Sequence, residues 1–298
     1  MHLRRLALAV LAVVILAACG TTATGDRAAS GGAAEEESPT TLRFGVGPLL
    51  PTTEDTEAAW EPFFAWLAGE LGVDYQLDAT TDWAGIAVAL ANEQVDLAWM
   101  GPFGYVLANN QSGAQAIATV KYDGKPTYHA IVVGPPDSPV QNWPDDAQGL
   151  SMSFAEQAST SGWLVPTFFL TQRGIDPTTY FEYSEGAAHP ANEIAVANRQ
   201  VDLATDFDRN RNSMIESGAL APDATKIVWT SDPLPNDAIG VRPGLDPELV
   251  SRIQELLVNL TPEQAEEFMP KHYTGFVPAT DDSYRTIKDA AISLDKLS

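Results

Sequence analysis

The sequence predicts an α/β protein built from two lobes, and two observations carry that reading. Short apolar runs of β character alternate with helical stripes whose apolar residues recur every three or four positions, the pattern of mostly parallel strands joined by helices. In addition, ANEQVDLA at residues 91–98 returns as ANRQVDLA at 197–204 with one substitution. Each copy ends a helix and opens a strand, so each lobe is expected to contain the same helix-to-strand unit. Ligands of open α/β sheets gather beyond the carboxyl ends of the strands. WMGPFGY after the first copy and TDFDRN after the second should therefore face one another across a cleft.

At the N-terminus, Arg4 and Arg5 precede the apolar run Leu6–Ala18, which is too short to span a bilayer comfortably. Residues 1–18 read as a signal peptide. Leu16-Ala17-Ala18-Cys19 resembles a bacterial lipobox, which makes Cys19 the expected lipidation site and membrane anchor. Cys19 is the only cysteine, which excludes a disulfide framework. Residues 19–41 contain almost no bulky apolar side chain and read as a flexible tether.

The folded part is expected over residues 42–298. LRFGVGPLL reads as a strand, and EDTEAAWEPFFAWLAGELG as a helix burying Trp60, Phe63, Phe64, Leu67 and Leu71, with Pro62 placed near its start. VDYQLDA, VDLAWMG, AQAIATVKY, HAIVVGP, LSMSF, VDLATDF and KIVWTSD are further strand candidates, and the chain from Asp246 onward reads as helical.

The formal charge is −23, or −25 without Arg4 and Arg5, which argues against nucleic acid or an anionic lipid surface as a partner. The histidines, His2, His129, His189 and His272, lack metal-ligand spacing, so no metal or other cofactor is expected.

FAEQASTSGWLVP, residues 154–166, places Ser159, Thr160 and Ser161 at the expected entrance of a helix closed by Gly174. Exposed N–H groups and the helix dipole make such an entrance attractive to an oxyanion, and the hydroxyls add donors. Taken alone, the local pattern favours an ordinary N-cap with loop hydroxyls beside it, because helix caps are far commoner than ligand sites. No arginine or lysine lies in the cluster, so recognition by neutral donors is expected, with a neighbouring carboxylate able to test whether the anion carries a proton.

STSGWLVP, AHPANEIAVANRQVDLAT, IVWTSDPLPNDAI, TDWAGI and GKPTYHAIVV together resemble the substrate-binding proteins of phosphonate, phosphite and phosphate ABC importers. The resemblance implies a two-lobed type II periplasmic-binding-protein fold with a ligand cleft between lobes and a two-crossover hinge. It places lobe 1 at 42–132 and 238–298 and lobe 2 at 133–237. It makes Ser159, Thr160 and Ser161 donors to the phosphonyl oxygens, Tyr128 a phenolic donor, His189 a ligand-binding histidine, and Asp237 the acid that meets an ammonium in aminoalkylphosphonate binders. Read without the resemblance, Tyr128 suits a strand aromatic, His189 a loop and Asp237 a turn beside Pro235.

Two departures bear on the ligand. Trp83, in TDWAGI, stands where some relatives have tyrosine and makes a bulkier wall. Arg209 stands where aminoethylphosphonate binders have a glutamate and would repel an ammonium; Asp206 or Asp208 is left to replace that glutamate or to accept a P–OH proton. Phosphite or a simple phosphonate is therefore favoured over phosphate, with ABC permease subunits as partners and a monomeric state expected. Trp83 and Met100 are expected to set the cleft volume. A sulfonate, a carboxylate or a larger organophosphonate is the alternative ligand. A lipid-anchored hydrolase has less support, because G-x-S-x-G and an S-x-x-K beginning at either serine are both missing. An imagined His189, Ser161 and Asp206 triad is not required by spacing.

Overall fold

The computed structural model describes residues 41–50 and 52–297. The signal peptide, the Cys19 lipid site and residues 19–40 of the tether lie outside the described residues. Thr41, expected at the end of the tether, belongs to the first strand.

The chain starts with β1 (Thr41–Val46), α1 (Thr53–Leu71), β2 (Asp74–Ala79), α2 (Trp83–Ala91), β3 (Leu97–Met100), α3 (Pro102–Ser112) and β4 (Gln115–Tyr122). It crosses through β5 (Thr127–Tyr128) into β6 (Ala130–Gly134), β7 (Ser151–Ala155), α4 (Val165–Thr171), α5 (Pro177–Tyr180), β8 (Glu182–Ala187), α6 (His189–Ala197), β9 (Leu203–Phe207), α7 (Asp208–Glu216) and β10 (Lys226–Thr230). It returns through β11 (Leu234–Pro235) to β12 (Ala238–Val241), α8 (Pro247–Val258), α9 (Pro262–Phe268), β13 (Tyr273–Pro278) and α10 (Arg285–Ser293).

Two sheets define two lobes. The first has strand order β13-β4-β12-β3-β1-β2 and the second β10-β6-β9-β7-β8. β1 lies parallel to both β2 and β3, and β7 lies parallel to both β8 and β9, so each lobe contains the same β-α-β-α-β core. The two crossing segments pair antiparallel as β5 and β11, with Leu234 opposite Tyr128. This ribbon is the hinge.

The repeated octapeptide performs the same job twice. Glu93 and Arg199 both take a left-handed φ of 56° just past the ends of α2 and α6, which turns each chain into its strand. Asp96 and Asp202 then accept from the backbone N–H of the neighbouring strand, Arg43 at 2.8 Å and Ser151 at 2.9 Å.

α1 begins where the Thr52 side chain accepts from the Asp55 N–H and ends at left-handed Gly72. Its apolar stripe buries all five expected residues, and Trp60 packs 5.1 Å from Trp99 of β3, centroid to centroid. Pro62 lies in the helix interior rather than near its start, on the exposed side.

The structure corrects three further expectations. The lobe boundary at 132/133 falls inside β6, a strand of the second sheet, so the chain has already crossed before Ala130. The stretch after Asp246 is not wholly helical, because β13 joins the first sheet as an edge strand beside β4. A register shift between Tyr273 and Phe276, at left-handed Gly275, interrupts the alternation that marks a strand in sequence. Helix α10, expected in lobe 1, packs against both α3 and α4 and so braces the two lobes together.

Candidate ligand-binding cleft

The hydroxyl cluster follows β7 directly. Ser159 is the N-cap, its Oγ accepting from the Gly162 N–H at 3.1 Å. The turn Thr160–Leu164 is wide: Leu164 N–H donates to the Ser159 carbonyl, five residues back, before the chain tightens into α4. Gly162 is needed here because a Cβ would sit 2.3 Å from Ala155 Cβ and 2.7 Å from His189 Cε1. The glycine of STSG thus lets the imidazole approach the hydroxyl loop. Thr160 Oγ1 accepts from the Phe103 N–H at 2.8 Å, and the Ser161 and Thr160 hydroxyls oppose the rise that burial imposes on the Tyr128 phenol pKa.

His189 is the first residue of α6, and Trp83 is the first residue of α2. They occupy equivalent places in the repeated unit and face the cleft from opposite lobes. His189 Nε2 stands 3.0 Å from Ser159 Oγ, and Nδ1 stands 3.1 Å from Asp206 Oδ1. Burial pushes the imidazole pKa down to about 4, which favours the neutral ring. Behind it, Asp206 and Glu193 are both fully buried and close together. Burial raises both carboxyls, Glu193 further because of the Asp206 charge. Thr225 Oγ1 donates to Glu193 at 2.9 Å, and Asn210 Nδ2 donates to both Asp206 oxygens at 3.0 Å.

At the hinge, Tyr128 and Asp237 form the rear wall. Asp237 Oδ2 accepts from Arg209 Nη2 at 3.2 Å, and the Arg209 guanidinium lies 4.8 Å from the Tyr128 ring centroid and 5.0 Å from that of Tyr122. Burial raises the Asp237 pKa, and the arginine opposes that rise.

These groups line one cavity of about 510 Å³. Ser159, Thr160, Ser161, Tyr128, His189, Asp237 and Trp83 all reach it. Asp206 does not. It is sealed behind His189, and Asp208 is also absent from the lining, so neither is placed to accept a ligand P–OH proton directly. The imagined triad is likewise rearranged, since His189 meets Ser159 rather than Ser161. Met100 lies in the core; Trp99 and Gly101 flank the cavity instead, as strand alternation requires. The expectation of neutral donors alone is also corrected, because Arg209 lines the cavity. Its place agrees with the expected position of TDFDRN at the cleft, and β9 ends beside the hydroxyl loop. WMGPFGY and TDFDRN do meet at the cleft, through Trp99 and Gly101 on one side and Phe207, Arg209 and Asn210 on the other.

Residues 49–284 match the family described as ABC transporter, phosphonate, periplasmic substrate-binding protein. The chain is 30% identical over 235 residues to the phosphonates-binding periplasmic protein of Escherichia coli, covering 77% of this chain and 69% of that one. It is 27% identical over 272 residues to the phosphate-import protein PhnD of Mycolicibacterium smegmatis, covering 84% of each. Its fold is similar to that of PhnD1 from Prochlorococcus marinus, solved in complex with methylphosphonate, at a TM-score of 0.74 and 17% identity over 87% of this chain and 100% of the other. A two-lobed α/β fold with a polar cleft at its hinge and a match over most of its length together make this chain a member of the phosphonate ABC-transporter substrate-binding protein family, with the type II fold.

Proposed function

We propose that this protein is an extracytoplasmic lipoprotein, anchored through Cys19, that captures a phosphorus oxyanion between its lobes and delivers it to the permease of an ABC importer. The observation that carries this reading is convergence: hydroxyls from lobe 2, a phenol from the hinge and an imidazole from α6 meet on one interlobe cavity. Convergent donors in a concave, partly apolar site are what orient a small anion. Capture by hinge closure uses the β5–β11 ribbon, and release returns the lobes to an open form. The names of the two relatives, one for phosphonates and one for phosphate import, support this class of ligand.

Phosphite or a small phosphonate is the favoured ligand, with phosphate possible. The cavity volume favours a second reading, an organophosphonate with a larger substituent. At about 30 Å³ per water-sized atom, a bare tetrahedral oxyanion fills only about a quarter of the space. Trp83, Trp99, Tyr122 and Phe207 supply walls for an organic group.

A calorimetric titration with phosphite, phosphate, methylphosphonate and propylphosphonate tests the proposal. Stoichiometric binding of at least one, with no product released from a phosphonate ester, is the expected result. Failure to bind any of them removes the reading. Steady turnover of the ester would favour the hydrolase instead.

A further inference from the structure

We infer that Arg209 is the charge-selecting residue of the cleft, restricting it to phosphorus oxyanions whose substituent carries no positive charge. The inference rests on the proposed function above and narrows its substrate class.

The geometry begins at the end of β9, where the first turn of α7 projects Arg209 toward the hinge. Its side chain is 12% exposed, and its guanidinium lies within 5.4 Å of the centroids of Phe207, Tyr122 and Tyr128. These rings and the Asp237 carboxylate hold the guanidinium in one place, because ring faces attract cations and the carboxylate fixes the remaining direction. Nη2 is committed to Asp237. Nε and Nη1 are buried and make no hydrogen bond among the described residues. A buried guanidinium with unpaired N–H groups favours an incoming acceptor over an incoming donor.

The other half of the argument is what the cavity does not offer. Asp237 is the single carboxylate among the described residues lining it, and Arg209 already neutralises that carboxylate. Lys271 is a second cation in the lining. Lys271 is 74% exposed and paired with Glu216 at the mouth, so Arg209 is the cation held inside the cavity, balanced by Asp237 and leaving no acid over for a second cation. A ligand ammonium would lose its water, find no free carboxylate and approach a fixed guanidinium. A methyl or propyl group of the same reach would meet only aromatic walls.

The test compares propylphosphonate with 2-aminoethylphosphonate, two ligands of the same heavy-atom length that differ by the ammonium. Calorimetry on the wild-type chain should give propylphosphonate a preference of at least about 100-fold, the scale of a buried like-charge contact. In Arg209→Gln the preference should shrink at least tenfold, and in Arg209→Glu it should reverse. Because both affinities are measured on the same variant, their ratio cancels any general loss of folding. Wild-type binding of the two within threefold of each other overturns the inference while leaving phosphonate capture intact. A ratio unchanged in Arg209→Gln overturns it as well. Wild type that binds neither these ligands nor phosphite and phosphate overturns the proposed function, and the inference with it.

Discussion

The Phe103 N–H of α3 donates to Thr160 Oγ1 of the hydroxyl loop at 2.8 Å, a buried hydrogen bond that joins the two lobes. Thr160 accepts on one side and retains its own hydrogen for the cavity or for Tyr128. One hydroxyl thus couples lobe closure to anion capture. Thr160→Val removes both and leaves a buried N–H unpaired. Titration with the best-binding phosphonate should show a loss of about 1–3 kcal/mol. Thr160→Ser keeps the hydroxyl and should recover most of it; equal losses in both variants would show that side-chain packing, rather than the hydroxyl, sets the affinity.

Glu156 should act on affinity without touching ligand. Its Oε1 accepts from the Trp83 N–H, the first of helix α2 in the opposite lobe, at 2.8 Å. Burial raises the Glu156 pKa, and the Trp83 hydrogen bond opposes the rise. This contact bridges the two lobes, so its loss should shift the population toward an open form. Glu156→Ala is expected to speed ligand release in stopped-flow fluorescence, with little change in the association rate. A slowed association with unchanged release would place Glu156 on the capture path instead.

Much of the fold was legible because the apolar periodicities were strong and the octapeptide echo marked equivalent turns. Trp60, Phe63 and Phe64 read correctly as one helical face because packing and periodicity agree there. β13 did not, because the bulge at Gly275 breaks the alternation. At the site, Ser159, Thr160, Ser161 and His189 were legible as a capped helix start and a family motif. Arg209 was legible as a departure that repels an ammonium but not as the partner of Asp237. The expected ligand roles of Asp206 and Asp208 fail because the fold seals Asp206 behind His189 and keeps Asp208 out of the lining. Adjacent residues on β9 face opposite sides of the sheet, so Asp206 turns away from the cleft that Phe207 lines, and the first turn of α7 then brings Arg209, not Asp208, back to it.

The repeated aspartates make a paired stability prediction. Asp96 accepts from Arg43 Nε and Nη2 at 3.0 and 2.7 Å and from Arg242 Nε at 2.6 Å, besides the Arg43 N–H. Its side chain is only 2% exposed. Among the described residues, Asp202 makes the equivalent backbone contact and otherwise accepts only from the Ser151 hydroxyl, near solvent. Asp96→Ala strands two arginines and should cost about 2–3 kcal/mol in denaturant unfolding, less than for a fully buried pair because Arg43 reaches water. Asp202→Ala should cost about 1 kcal/mol or less. Equal costs would show that the shared strand contact, rather than the arginines, dominates.

The buried acids behind His189 should give stability a pH slope of definite sign. Burial raises Glu193 and Asp206, so the folded chain keeps protons that the unfolded chain releases above the ordinary carboxyl range. Their stabilising contribution is present at low pH and is lost as pH rises. His189 acts oppositely: burial lowers it from 6.5 to about 4, so its contribution makes stability rise with pH across that interval and then levels off. Above pH 6.5 the carboxyls act alone. Each proton still held only by the folded state lowers stability by about 1.4 kcal/mol per pH unit. Thermal unfolding of the ligand-free chain should therefore give a Tm that falls from pH 6.5 to 8. Glu193→Gln keeps a neutral hydrogen-bonding group beside Asp206 and Thr225, and should flatten that fall. A wild-type Tm that stays flat over the same interval would mean that Arg211, 4.0 Å from Glu193 Oε1, holds the pair ionised.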